Sequence, residues 1–264
     1  MKKIIATAGL AVIVLITSAH EFWLQPKKYK YAVGEEMKID FMVGENFTGE
    51  YWDLTKHKVE RADIHFSGGM TNLTAQVKPT KGNNLIYTFQ KEGTHLVTMQ
   101  SNAAYIEMEG DKFTEYLKED GLDNILDLRD RKGIADQKSK EFYQRYVKLL
   151  VQAGTKTDDT FSKRANFPIE IVPLSNPYTL KTGDHLECRV FFNGKPSPHQ
   201  MVKVWSHTGN RIFLQNIYTE DDGTIKFPIS SAGPWMVSTV KMMPSQKPGA
   251  DYHSMWTSLV FGIE

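Results

Sequence analysis

Apolar and polar residues alternate in short runs over most of the chain, and turn residues close each run. Met37-Lys38-Ile39-Asp40-Phe41 puts its apolar side chains on one face of an extended segment, the pattern of a half-buried strand. Ala62-Asp63-Ile64-His65-Phe66 repeats the pattern and stops at Gly68-Gly69. Leu85-Ile86-Tyr87-Thr88-Phe89 and His95-Leu96-Val97-Thr98-Met99 flank a turn at Lys91-Glu92-Gly93. Strands return at Ile169-Glu170-Ile171-Val172-Pro173 and continue to Phe261. They reverse at Asn193-Gly194-Lys195-Pro196 and Asp221-Asp222-Gly223, because Asn and Gly accept the positive φ of tight turns. This many short strands predicts β-sandwich architecture.

Between the two β regions the period changes. Phe142, Tyr146, Leu149, Leu150 and Ala153 recur at three and four residues, which predicts one stripe of a helix over 137–153 with Gly154 as its stop. Phe113, Tyr116 and Leu117 predict a short helix ending near Gly121, and Leu122, Ile125 and Leu126 begin another. Thr155–Arg164 is polar and reads as a linker. The expected class is mainly β: two tandem Ig-like or prealbumin-like β-sandwich domains with a helical insertion between them. The segments are a signal peptide at 1–19, a sandwich at 20–110, helical segment and linker at 111–166, and a sandwich at 167–264.

The β regions also repeat each other. Tyr29 to Met37, with Gly34-Glu35, overlays Tyr178 to Leu186, with Gly183-Asp184, without a gap. Ile39 then falls on Cys188 and Phe41 on Val190. Farther on, Tyr87 to Gly93 overlays Phe227 to Gly233, and Val97 meets Val237. Matched spacing of this kind favours duplication over convergence of common turns.

The amino terminus changes the picture. Met1-Lys2-Lys3, an apolar run from Ile4 to Ile16, and Thr17-Ser18-Ala19 together form a secretory signal too short to span a bilayer. Cleavage after Ala19 makes His20 the first mature residue and predicts a periplasmic protein. A cut after Thr17, giving Ser-Ala-His, ranks second because Leu15 and Thr17 suit the peptidase poorly. Losing Lys2 and Lys3 from 32 basic residues, against 31 acids, turns the net charge from +1 to −1. That balance argues against a nucleic-acid partner or a polybasic membrane patch. No later segment predicts stable membrane insertion of the mature chain. Cys188, the one cysteine, alternates with apolar residues and reads as a buried small hydrophobe. Trp235 and Trp256 are core candidates, and Tyr51-Trp52 is a candidate exposed patch for sugar or protein.

An amino-terminal His offers its α-amine and imidazole Nδ1 as a chelating pair, and both groups lose protons cheaply near neutral pH. No two histidines have His-x-His or His-x-x-x-His spacing, so the shell of a metal at His20 must close through space. His65 and His95, on predicted strands, are candidates to approach it. The competing reading makes them ordinary hydrogen-bonded strand histidines. His253, beside Asp251 before the last strand, is the other candidate. His57, His185, His199 and His207 stand in polar, turn-like contexts and are expected to face solvent. No nucleophile elbow, phosphate loop or dinucleotide fingerprint is present, so no catalytic residue is assigned.

Several strings together resemble a known family. They are Ala19-His20-Glu21-Phe22-Trp23-Leu24 with Pro26, Phe113 to Leu122, Tyr143 to Gly154, Ile169 to Tyr178 with Gly183-Asp184, and Tyr252 to Phe261. The chain resembles a bacterial secreted domain of unknown function once labelled a nickel-uptake, NikM-like component. The resemblance implies a periplasmic β-rich protein associated with nickel or cobalt uptake. Family members often carry a His where this chain has Gly44-Glu45-Asn46-Phe47, and an acid where it has His253. The leading expectation is a non-enzymatic periplasmic protein that binds or delivers nickel, cobalt or copper in uptake, with His20, His65, His95 and His253 as candidate ligands. Its partner would be a metal-uptake transporter or another envelope protein. The alternative is an interaction module recognising an envelope protein or a glycan. An oxidative copper enzyme with an amino-terminal His brace ranks last.

Overall fold

The computed structural model describes residues 20–264, so the signal-peptide expectation for 1–19 lies outside the described residues. Three sheets stack in layers. An amino sheet contains Glu21–Pro26, Glu36–Glu45, Thr48–Tyr51 and Leu85–Thr88. A carboxy sheet contains Ile169–Pro173, His185–Phe192, Lys195–Pro196 and Thr224–Pro228. Between them runs a ten-stranded sheet in the order Arg211–Tyr218, Met201–Thr208, Gly233–Pro244, Tyr252–Ile263, Ser139–Ala153, Gly93–Ser101, Val59–Phe66 and Gly69–Asn72. The short strands Lys30–Tyr31 and Ala104–Met108 also pair with Ser139–Ala153. No helix among the described residues is long and apolar enough to cross a membrane.

The alternation of side chains builds a separate core on each face of the central sheet. Val147, Leu149 and Val151 join Phe22, Met37 and Phe41 under the amino sheet. Leu150 points the other way, to Ile171, Leu186 and Cys188 under the carboxy sheet. The two halves meet where Ser139–Ala153 and Tyr252–Ile263 pair in parallel, from Glu141↔Tyr252 to Leu149↔Val260. A two-fold rotation about an axis along these strands keeps their direction and exchanges both sides and faces of the sheet. That operation places one outer sheet on each face.

The internal repeat is visible in the hydrogen bonds. Gly34 N donates to Phe89 O at 2.8 Å, and Gly183 N to Ile229 O at 2.9 Å. The Glu35 carboxylate accepts from Ala32 N, and that of Asp184 from Lys181 N, at 2.9 Å each. Registers agree as well: Met37↔Tyr87 and Ile39↔Leu85 answer Leu186↔Phe227 and Cys188↔Ile225. Gly34 and Gly183 have φ of 85° and 100°, and a Cβ on either meets no atom within 4 Å. Gly34→Ala and Gly183→Ala are therefore each expected to cost about 1–2 kcal/mol, from backbone conformation alone. Chemical denaturation of the two variants checks this; a loss at only one position would contradict the equivalence.

The predicted helix over 137–153 is a strand, Ser139–Ala153. Its run from Arg145 to Ala153 is buried on both faces. A strand covered on both sides loses the two-residue alternation, and Leu149-Leu150 then imitates a helical stripe. The fourth strand of the first half thus comes from within the 111–166 segment. The two short helices do form, at Gly110–Glu119 and Asp123–Arg131. Phe113, Tyr116, Leu117 and Ile125 pack on Val240, Met242, Tyr252 and Trp256 of the central sheet, beside the amino sheet. Trp235 and Trp256 are buried as expected. Trp52 is buried too, with its ring 4.9 Å from Phe22, so of the proposed exposed patch only Tyr51 faces solvent.

Candidate functional site

The fold separates the candidate histidines. His20 directly precedes the first strand, and its Nδ1 lies 3.1 Å from a carboxylate oxygen of Glu45. His95 lies under the amino sheet, its ring 4.9 Å from Phe89 and 6.2 Å from Tyr87, with Nδ1 3.1 Å from Gly93 O. Tyr87 pairs with Met37, eight residues along the same strand from Glu45. At about 3.4 Å per residue the two histidines stand roughly 27 Å apart along that strand. His65 pairs with Leu96 and shares its side of the central sheet, facing away from the amino core that holds Ile64. Its Nε2 lies 3.5 Å from Thr98 Oγ1. Burial first, and Lys163 next, hold His65 below the ordinary imidazole range, and burial does the same to His95.

His253 lies within the last strand, not before it, and pairs with Met243 on one side and Phe142 on the other. It looks toward the carboxy-sheet side. The expectation that His65, His95 or His253 would close a shell around His20 therefore fails. Among the described residues no group of three or more His, Cys, Asp or Glu side chains is placed to hold a metal. Strand alternation and sheet stacking decide these positions, and neither is visible from histidine spacing. His207, expected to face solvent, sits on a strand with Nε2 3.1 Å from Phe47 O. His57 stacks on Trp52 at 5.1 Å.

His20's partner Glu45 opens onto a cleft of about 430 Å³ lined also by Glu21, Tyr116, Asp120, Lys203 and Asn216. Five segments converge there: the first strand, the end of Glu36–Glu45, the end of the first helix, Met201–Thr208 and Arg211–Tyr218. Lys203 Nζ lies 2.7 Å from Asp120 Oδ1 and 3.0 Å from Glu21 Oε1. Burial would depress Lys203, yet the two acids outweigh it and raise its ammonium above the ordinary range. Burial pushes Asp120 up to about 7, against the pull of Lys203. With Glu45 and Glu119 also present, acids outnumber Lys118 and Lys203. Such a cleft attracts cations. Nothing in the sequence links positions 21, 120 and 203, so this grouping was not legible there.

Beneath the helices lies a second polar group. Tyr116 OH donates to Glu141 Oε1 at 3.3 Å, Ser254 Oγ donates to the same oxygen, and Trp256 Nε1 donates to Ser254 Oγ at 3.0 Å. Glu141 is fully buried, its Oε2 has no hydrogen-bond partner among the described residues, and burial pushes its carboxyl up to about 7. Cys188 is likewise fully buried, and burial raises its thiol well above the ordinary range, which makes it a poor nucleophile.

Comparisons with known proteins add a family and little else. No curated protein matches the chain. Among solved structures, the D0-D1 domain of intimin is 11% identical, covering 90% of this chain and 96% of that one, with a TM-score of 0.20. The three N-terminal domains of the outer capsid protein Hoc of bacteriophage RB49 are 9% identical, covering 92% and 59%, with a TM-score of 0.19. The chicken interferon gamma receptor alpha chain is 9% identical, covering 83% and 87%, with a TM-score of 0.20. Scores this low bear on neither fold in detail nor function. The family model described as Domain of unknown function (DUF4198) matches residues 17–242, and the chain belongs to that family.

Proposed function

We propose that this is a non-enzymatic exported protein that binds a transition metal at its mature amino terminus. The observation that carries the reading is the 3.1 Å approach of His20 Nδ1 to the Glu45 carboxylate, at the rim of an acid-lined cleft. Residues 1–19 read as a secretory signal, and cleavage after Ala19 would give His20 a free α-amine in the periplasm. That amine and Nδ1 then form a chelate, and Glu45 adds an oxygen. Three donors assemble without a second histidine. Nitrogen donors favour Cu(II) over Ni(II) and Zn(II) in raw affinity, so cellular supply would select nickel or cobalt. In an uptake role a transporter or another envelope protein would receive the ion.

Calorimetry with Cu(II) and Ni(II) tests this on four proteins: the chain beginning at His20, His20→Ala, Glu45→Gln, and a chain with one alanine before His20. The added alanine keeps the imidazole but moves the amine away. It and His20→Ala are expected to weaken binding by at least about 10-fold, the scale of a lost metal contact, and Glu45→Gln by less. Binding should also weaken as pH falls, because metal ligands must be deprotonated to bind. If all four proteins bind alike, there is no amino-terminal chelate. An interaction module then becomes the better reading, supported by the edge strand Arg211–Tyr218, where Phe213, Leu214 and Tyr218 are exposed.

A further inference from the structure

We infer that Met243, His253 and Met255 form a second metal site, selective for Cu(I), on the carboxy-sheet side of the central sheet. All three line one cavity of about 470 Å³, with Tyr105, Phe142 and Phe192 as its apolar walls. Met243 is the direct cross-strand partner of His253, so their Cβ atoms are about 4.5–5.5 Å apart and their side chains share a face. Met255 stands two residues along the strand from His253, on that same face, roughly 7 Å away. Unbranched thioether arms reach across such spacings and adapt to a ligand. His253 Nε2 is buried and has no hydrogen-bond partner among the described residues, and a buried imidazole nitrogen without one requires an explanation.

The donor set points to the class of ion. Two thioethers are soft, neutral sulfur donors that suit Cu(I), and the imidazole, a borderline donor, binds copper as well. Lys247 lines the cavity as well. Its charge opposes any cation, and repels a monovalent ion half as strongly as a divalent one. The site does not depend on cleavage after Ala19 or on the amino-terminal chelate.

The test is anaerobic Cu(I) titration against a chromophoric chelator, using wild type, Met243→Leu, Met255→Leu, the double leucine variant, His253→Gln and His20→Ala. One equivalent is expected in wild type. Each single change at 243, 253 or 255 should weaken binding at least 10-fold, and His20→Ala should leave it unchanged. Thermal melts confirm that the near-isosteric leucine variants fold. In parallel, silver(I) added to protein carrying 13C-methyl methionine should shift the methyl signals of Met243 and Met255 and leave that of buried Met236 in place. Wild-type affinity in the double leucine variant, or unmoved Met243 and Met255 methyls, would overturn the inference. A loss only in His20→Ala would assign Cu(I) to the amino terminus and overturn it equally.

Discussion

Glu170→Ala is expected to lower stability by about 3–5 kcal/mol, the cost of stranding a charge inside a protein. Glu170 is fully buried and accepts from Lys148 Nζ at 2.6 Å, from Ala165 N at 2.9 Å and from Arg164 Nε. Lys148 is 1% exposed, and without Glu170 it keeps only the Ile171 carbonyl, at 3.2 Å. Arg164 is partly exposed and can turn to solvent. Burial alone would raise Glu170, but Lys148 and Arg164 outweigh it and hold its carboxyl below the ordinary range. A carboxyl depressed in this way adds stability above its unfolded pKa, about 4.3, and that stability is lost as pH falls through the folded value. The double change Lys148→Met with Glu170→Leu should recover most of the loss, because neither charge then remains buried. Urea denaturation of the single and double variants measures both effects. A loss under about 1 kcal/mol in Glu170→Ala would show that Lys148 finds another partner.

The second large effect has the opposite sign. Glu141→Gln is expected to stabilise the protein by roughly 3 kcal/mol at pH 8, and by little at pH 4.5. Burial pushes Glu141 from an ordinary carboxyl value up to about 7. The folded protein therefore holds this proton at pH values where the unfolded chain has released it. Where the native state binds more protons, unfolding free energy falls as pH rises, here between about 4.5 and 7. A neutral amide in the same place removes that contribution. Asp120, pushed up to about 7, shifts stability in the same direction, so some slope should persist in the variant. The quantity to compare is the difference between wild type and Glu141→Gln across the pH range. A difference constant with pH would mean that Glu141 titrates normally.

What was legible in the sequence follows from which residues meet water. Strands such as Glu36–Glu45 and His185–Phe192 belong to outer sheets with one wet face, and their alternation marks them directly. The repeated Gly34-Glu35 and Gly183-Asp184 turns were legible because each carries a positive φ and the same local hydrogen bond. Ser139–Ala153 was not, since both of its faces are covered. Its polar residues were misleading in the same way. Glu141 and Lys148 look like the wet side of a helix, and both are buried. The histidines failed differently. His65 and His95 sit on correctly anticipated strands, but their sides of the sheet depend on which layer packs where.

The proposed metal site is the mature amino terminus, and electron paramagnetic resonance of one equivalent of Cu(II) on the chain beginning at His20 reports on its donors. With the His20 α-amine labelled with 15N, nitrogen hyperfine structure that changes with the label is expected, and its loss when one alanine precedes His20. A Cu(II) spectrum insensitive to both the label and the added alanine would contradict it.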